Sequence, residues 1–244
     1  RTGAGLEPCF ALQSAFSLSP GSSCEVVVVL GEAASLRGVR AVVRSLREPR
    51  AVDRLEEETR GFWEERLTRL RIETPLASID PLVNGWLPYQ ALACRMWGRS
   101  AFYQSGGAFG FRDQLQDALA FLPVDPSLAR GQILLHAAHQ FVEGDVLHWW
   151  HPPGDRGIRT RFADDLLWLP YAAAHYVEAT GDRAILEERI PFLRARALRA
   201  DEDEAYLAPR RAGESADLYE HCCGAIDRSL GTGGDRHRTR LTFH

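Results

Sequence analysis

The chain is 244 residues long, 45% hydrophobic and 25% charged, a composition that can bury a core and that excludes a disordered tail. Its net charge of -4 at pH 7 offers polyanions no general attraction, which argues against nucleic acid and confines any anion site to a local cluster. No apolar run reaches the roughly 18 to 20 residues of a membrane-spanning helix, and the first residues, "RTGAGLEPCF", lack a basic-then-apolar export pattern, so a cytosolic chain, or a cytosolic piece of a longer one, is expected.

From Cys9 the pattern is strand-like: "CFALQSAFSL", a turn at "SPGSS", then the β-branched run "CEVVVVLGEA". Two strands make no stable sheet alone, so these read as the last strands of a sheet domain. Ser35 to Leu46 and Val52 to Leu70 follow as helices. In the second, Leu55, Phe62, Trp63, Leu67 and Leu70 are spaced for one apolar stripe, as in a connector packed on one side.

After Thr74-Pro75 helical periods dominate and no stretch alternates convincingly enough to be a strand. The expected helices are Asp80 to Arg99, Asp113 to Leu122, Ser127 to Val142, Asp164 to Thr180, Asp182 to Leu198 and Ser215 to Leu230. Gly181 is placed to end the fourth of them in the left-handed conformation. Glu143 to Ala163 is expected as one long loop. Helical hairpins with long loops on one side predict a ring of paired helices with its ligand site on the loop side.

The chemistry concentrates in two segments. In "SGGAFGFRDQLQDALAFL" glycines precede a helix, and Arg112 and Asp113 set a guanidinium beside a carboxylate, a donor fork and acceptors that match vicinal sugar hydroxyls. The competing reading makes Asp113 a helix cap and Asp117 a surface charge. In "EGDVLHWWHPPGDRGIRTRFADDLLWLP", Trp149 and Trp150 lie between His148 and His151, ahead of Pro152 and Pro153. Indole faces stack on a pyranose ring while His151, Arg159, Arg161, Asp164 and Asp165 are candidates for its hydroxyls. Arg159 and Arg161 could instead neutralise the two aspartates, or form part of an anion pocket. A metal held by His148 and His151 would need a third ligand that the sequence does not place, and no metal is expected. His136 and His139 read as helix residues with ordinary hydrogen bonds.

Five cysteines, Cys9, Cys24, Cys94, Cys222 and Cys223, show no CxxC spacing and are expected as buried reduced thiols.

The segments "NGWLPYQALACRMWGRSAFYQ", "FYQSGGAFGFRDQLQD" and "EGDVLHWWHPPGDRGIRTRFADDLLWLPYAAAHYVEATGD" resemble those of the inverting β-glycoside phosphorylases of glycoside hydrolase family 94. The wording is nearest to the phosphorylase-like C-terminal region of cyclic β-1,2-glucan synthases. The resemblance runs from about Leu6 to Leu230.

It implies a mainly α fold: residues 1–30 as the end of a β-sandwich, 31–75 as a helical linker, and 76–244 as the first half of an (α/α)6 barrel, with an atypical tail from about 231. It also implies phosphorolysis of a β-glucan or β-glucooligosaccharide, with inorganic phosphate as co-substrate, no cofactor, and a possible homodimer. Asp113 matches the family aspartate that holds hydroxyls of the donor glucosyl unit, with Arg112 beside it. Six residues before Asp113 cellobiose phosphorylases carry an arginine where this chain has Gly107, which favours the β-1,2-glucan branch.

The family's general acid stands in a "GDWND"-like segment after a helix resembling "LYEHCCGAIDRSL". Here "GTGGDRHRTRLTFH" follows that helix and only Asp235 remains as a weak candidate, so a truncated or frame-shifted product unable to release glucose 1-phosphate is the expectation. A hydrolase using Asp113 and Asp165 as acid and base, and a non-catalytic sugar-binding remnant, are the alternatives.

Overall fold

The computed structural model describes residues 11–99 and 106–231, and the chain divides into two units, Arg1–Thr59 and Arg60–His244. In the first unit, residues 11–34 run without regular structure apart from a turn, and Val26 to Val29 are exposed. The expected strand at 24–33 therefore does not form a ladder among the described residues. A β-branched run becomes a strand only when a neighbour accepts its backbone hydrogen bonds. The expected strand at 9–18 falls partly outside the described residues, as does Cys9. Helix α1 (Leu36–Ser45) starts at Ser35, whose hydroxyl accepts the Gly38 amide. Helix α2 (Ala51–Leu67) follows, and its C-terminal turns begin the second unit.

The second unit is mainly helical. The helix expected from Asp80 is present as one continuous segment in which α3 (Ile79–Pro81) and α4 (Leu87–Gln90) alternate with wider π-helical turns, Leu82–Trp86 and Ala91–Trp97. Pro88 has no amide proton to return to the carbonyl four residues back, and the Leu87 amide reaches five residues back to Leu82. Next come α5 (Phe111–Leu119), α6 (Pro126–Ala137), α7 (Trp168–Thr180, entered through a 3-10 turn at Asp165–Leu167) and α8 (Leu218–Ser229). Gly181 ends α7 at φ 73. The start of α8 is a capping box: Asp217 accepts the Glu220 amide at 2.8 Å and Glu220 accepts the Asp217 amide at 3.2 Å.

These helices meet along apolar stripes. Phe111, Leu115 and Ala118 of α5, Ile133 and Ala137 of α6, Leu169, Ala172 and Tyr176 of α7, and Leu218, Cys222 and Ala225 of α8 are buried together at three- and four-residue spacings. Each large side chain buried there contributes roughly 1.5–3 kcal/mol. Among the described residues no helix is long and apolar enough to cross a membrane.

Six strands among the described residues correct the expectation that none follows Thr74. β1 (Phe109–Gly110), β2 (Leu147–His151), β3 (Arg156–Thr160) and β5 (Glu204–Leu207) form an antiparallel sheet in the order β1-β2-β3-β5, and β4 (Arg189–Arg194) pairs with β6 (Arg210–Asp217). The expected loop 143–163 is thus largely a hairpin. The expected helix Asp182 to Leu198 is a 3-10 turn, Arg183–Glu187, followed by β4. Pro191 would interrupt a helix interior but sits readily in a two-stranded ladder, where Ile190 and Leu193 turn inward.

Candidate functional site

Every strand of the four-stranded sheet contributes to one row. Gly110, Trp149, Ile158 and Tyr206 are successive ladder partners, and partners in an antiparallel ladder direct their side chains to the same face. A row on the opposite, core face joins Leu147, Arg159 and Ala205. Leu147 and Trp149 are two residues apart, so regular alternation would put them on one face. A register shift between them makes His148 the extra residue of a β-bulge, which sends the two to opposite sides and re-aims His148.

The re-aimed imidazole meets the start of α7. His148 Nδ1 lies 2.6 Å from Asp165 Oδ2, and Asp164 Oδ2 accepts from Arg112 at 2.9 Å. Arg112 stands in the first turn of α5 beside Asp113. Asp113 is exposed, and among the described residues its carboxylate makes no hydrogen bond or ion pair. It is not the cap of α5, because Gly110 holds that position. A Cβ on Gly110 would stand 2.3 Å from Asp113 Oδ2. The missing side chain therefore lets the Asp113 carboxylate occupy the face on which Trp149 stands, one ladder pair away.

Charge in this cluster is unbalanced. Three carboxylates face one guanidinium and one imidazole, so the cluster draws protons. Burial alone would lower the His148 pKa, but the hydrogen bond and charge of Asp165, helped by Asp113 and Asp164, raise it. Burial raises Asp165, against the opposing pull of His148. Asp117, four residues beyond Asp113, is a half-buried partner of Arg95 at 2.8 Å and not a solvated charge. Burial raises it and Arg95 opposes the shift.

The nine candidate residues separate into groups. Arg112, Asp113, Asp164 and Asp165 come together as above. Trp149 stands on the adjoining face with its ring 5.2 Å from that of His151, whose Nε2 lies 3.1 Å from the Gly106 carbonyl oxygen. Trp150 points the other way into the core, 1% exposed, its ring 3.9 Å from that of His139 and 5.8 Å from that of Phe109. It has no face to offer a sugar, because successive strand residues point to opposite sides.

Arg159, also 1% exposed, is held by both oxygens of Asp145 at 2.6 Å and lies over the Phe141 ring. It neutralises Asp145 and Glu143, not Asp164 and Asp165. Arg161 donates to the backbone carbonyls of Glu202 and Arg199. Neither arginine is part of the cluster. Asp235 lies outside the described residues. His136 and His139 sit in the core around Trp150.

Two contributors escaped the sequence reading. In the sequence His148 stands out only as a possible metal ligand or polar group, since nothing in "HWWH" marks a bulge. Tyr206 was not singled out, since "EAYLAP" carries no motif. Among the described residues no group of three histidine, cysteine or acidic side chains could hold a metal.

What the cluster can do follows from its acceptors. An exposed carboxylate, a second one tied to an arginine fork, and a histidine beside a half-buried indole suit the hydroxyls and apolar face of a sugar ring. The excess of carboxylates repels a phosphate dianion, which must be held by other residues.

Comparison with known proteins agrees in kind. The model for the catalytic domain of the glycosyl hydrolase 94 superfamily matches residues 62–241, and that for the supersandwich domain of glycosyl hydrolase 94 matches residues 1–49. The chain is 46% identical over 96% of its length to the cyclic beta-(1,2)-glucan synthase NdvB of Rhizobium meliloti (strain 1021). It is 28% identical over 91% of its length to the N,N'-diacetylchitobiose phosphorylase of Vibrio furnissii, and 31% over 75% to the solabiose phosphorylase of Paenibacillus borealis. It spans 8%, 29% and 22% of these three relatives' lengths, respectively.

Proposed function

Because the chain belongs to the glycosyl hydrolase 94 superfamily, we propose that it supplies the sugar-holding wall of an inverting glycoside phosphorylase centre, with Arg112, Asp113, His148 and Asp164 gripping one glucosyl ring and the buried Asp165 orienting His148 from behind. The observation that carries this reading is the convergence of those five side chains beside Trp149, on the face that Gly110 leaves open. The substrate is a β-glucooligosaccharide of the β-1,2 type, in keeping with the glucan synthase relative and with Gly107 in place of an arginine. The class of reaction is phosphorolysis: inorganic phosphate attacks the anomeric carbon from the face opposite the leaving sugar, giving α-glucose 1-phosphate. Phosphate is already an anionic nucleophile, so one general acid suffices and no carboxylate base is needed. The fold around the site is part of an (α/α)6 barrel preceded by a sandwich and a linker, with a homodimer and a cytosolic location as further expectations.

The hydrolase alternative has less support. It needs Asp165 as a base in reach of water, yet Asp165 is 3% exposed and bonded to His148. The experiment that tests the proposal is an assay with β-1,2-glucooligosaccharide in phosphate and phosphate-free buffer, beside calorimetric titration of the same sugar. Sugar binding that Asp113→Asn abolishes supports the wall, and phosphate-dependent glucose 1-phosphate adds the reaction. Reducing sugar released without phosphate would favour the hydrolase, and binding without any turnover the non-catalytic reading.

A further inference from the structure

The row that begins at Gly110 does not stop at Trp149. Ile158 and Tyr206 continue it across β3 and β5 on the same face. Tyr206 is 56% exposed and its ring centroid lies 6.0 Å from that of Trp149, with the planes inclined at 46°. Ile158, between them, is half-buried. Three strand spacings separate Gly110 from Tyr206, a span of about 14 Å, which is longer than one pyranose ring.

The flank of the row is polar. His151 and Arg156 face one another two positions along, as the next ladder pair on the same face, both exposed. A partly exposed apolar strip with polar groups at its margin is what a sugar chain needs: ring faces settle on the aromatic and aliphatic surface while hydroxyls reach the rim. A second protein would need far more contiguous area than this one row provides. The strip also joins the polar cluster without a break, because Asp113 lies over Gly110, at its first position.

We infer that Trp149, Ile158 and Tyr206 form a stacking platform for the sugar units next to the ring held at Asp113, and that Tyr206 sets how much a longer oligosaccharide gains in affinity. This rests on the reading that the Arg112, Asp113 and His148 cluster holds one glucosyl ring. It goes further in giving the site a direction, along the row from β1 to β5, and a preference for oligomers over single sugars.

Calorimetric titration of the 244-residue chain with glucose and with β-1,2-linked di- and triglucose tests it, in the wild type, Tyr206→Ala, Tyr206→Phe and Asp113→Asn. The wild type is expected to bind the oligomers more tightly than glucose. Tyr206→Ala should remove about tenfold of that gain, the size of one stacking contact, and leave glucose affinity unchanged, while Tyr206→Phe keeps the gain. Oligomer affinities equal in wild type and Tyr206→Ala would overturn the platform, and if Asp113→Asn still abolished binding the cluster would stand without it. Equal losses for glucose and oligomers in Tyr206→Ala would also overturn it, since a platform beyond the first ring cannot touch glucose. A wild type that binds none of the sugars would overturn both.

Discussion

Nδ1 of His148 and Oδ2 of Asp165 stand 2.6 Å apart, at the point where a bulge in β2 meets the first turn before α7. Burial works against charge on the imidazole, but Asp165, Asp113 and Asp164 outweigh it, so the folded pKa lies above the unfolded value of about 6.5. The stability this pair contributes is therefore complete below about pH 6.5 and is lost as pH rises through the folded value. Thermal midpoints measured from about pH 6 to about pH 9 should fall further in the wild type than in His148→Gln. Parallel curves would show that His148 carries no extra proton in the fold.

The core histidines work in the opposite direction. Burial lowers His136 to about 3 and also lowers His139 and His221. Their native neutrality stabilises the fold above about pH 6.5 and is lost as pH falls toward the folded values, at up to about 1.4 kcal/mol per pH unit for each histidine. Urea unfolding between about pH 6.5 and pH 4 should show that slope, and His136→Gln should reduce it by one proton. An unchanged slope in the variant would contradict the assignment.

Arg159 is a fastener of the hairpin. Its guanidinium grips Asp145 with two bonds of 2.6 Å, and its side chain is 1% exposed. Arg159→Met leaves the Asp145 carboxylate buried without its partner, at an expected cost of about 3–5 kcal/mol in chemical unfolding. A variant as stable as wild type that fails to bind sugar would return Arg159 to the binding surface.

The two adjacent tryptophans should behave differently. Trp150 fills the core between His139 and Phe109, so Trp150→Ala is expected to cost about 3–5 kcal/mol. Trp149, half-buried on the other face, should cost about 1 kcal/mol when replaced by alanine and weaken sugar binding about tenfold. Equal destabilisation by the two would mean that both indoles are packing residues.

Much of this was legible in the sequence and some was not. The helices with apolar stripes and clear caps lie close to where periodicity put them, and Gly181 ends α7 in the left-handed conformation. The glycine turn, Arg112, Asp113 and the acidic pair also fall in one neighbourhood, as their residue types suggested. The hairpin was missed for a physical reason: one indole turns inward and the other outward, so no polar-apolar alternation marks the strand, and the bulge at His148 breaks the period. Arg159 and Arg161 bind protein groups and not the cluster, which the sequence does not reveal because a buried arginine and a solvent-facing one look alike in it. The contribution of Tyr206 depends on its ladder partner Ile158, far back in the chain, which no local pattern encodes.

The central claim is that the carboxylate of Asp113, free of partners among the described residues and laid over Gly110, holds a sugar ring against Trp149. Titrating β-1,2-linked diglucose into the wild type and Asp113→Asn, with thermal unfolding of both as a control, tests it most directly. The account predicts saturable binding in the wild type and a loss of at least about tenfold in Asp113→Asn, the size of one charge-assisted hydrogen bond, at nearly equal thermal midpoints. Equal affinities in two equally stable proteins would contradict it.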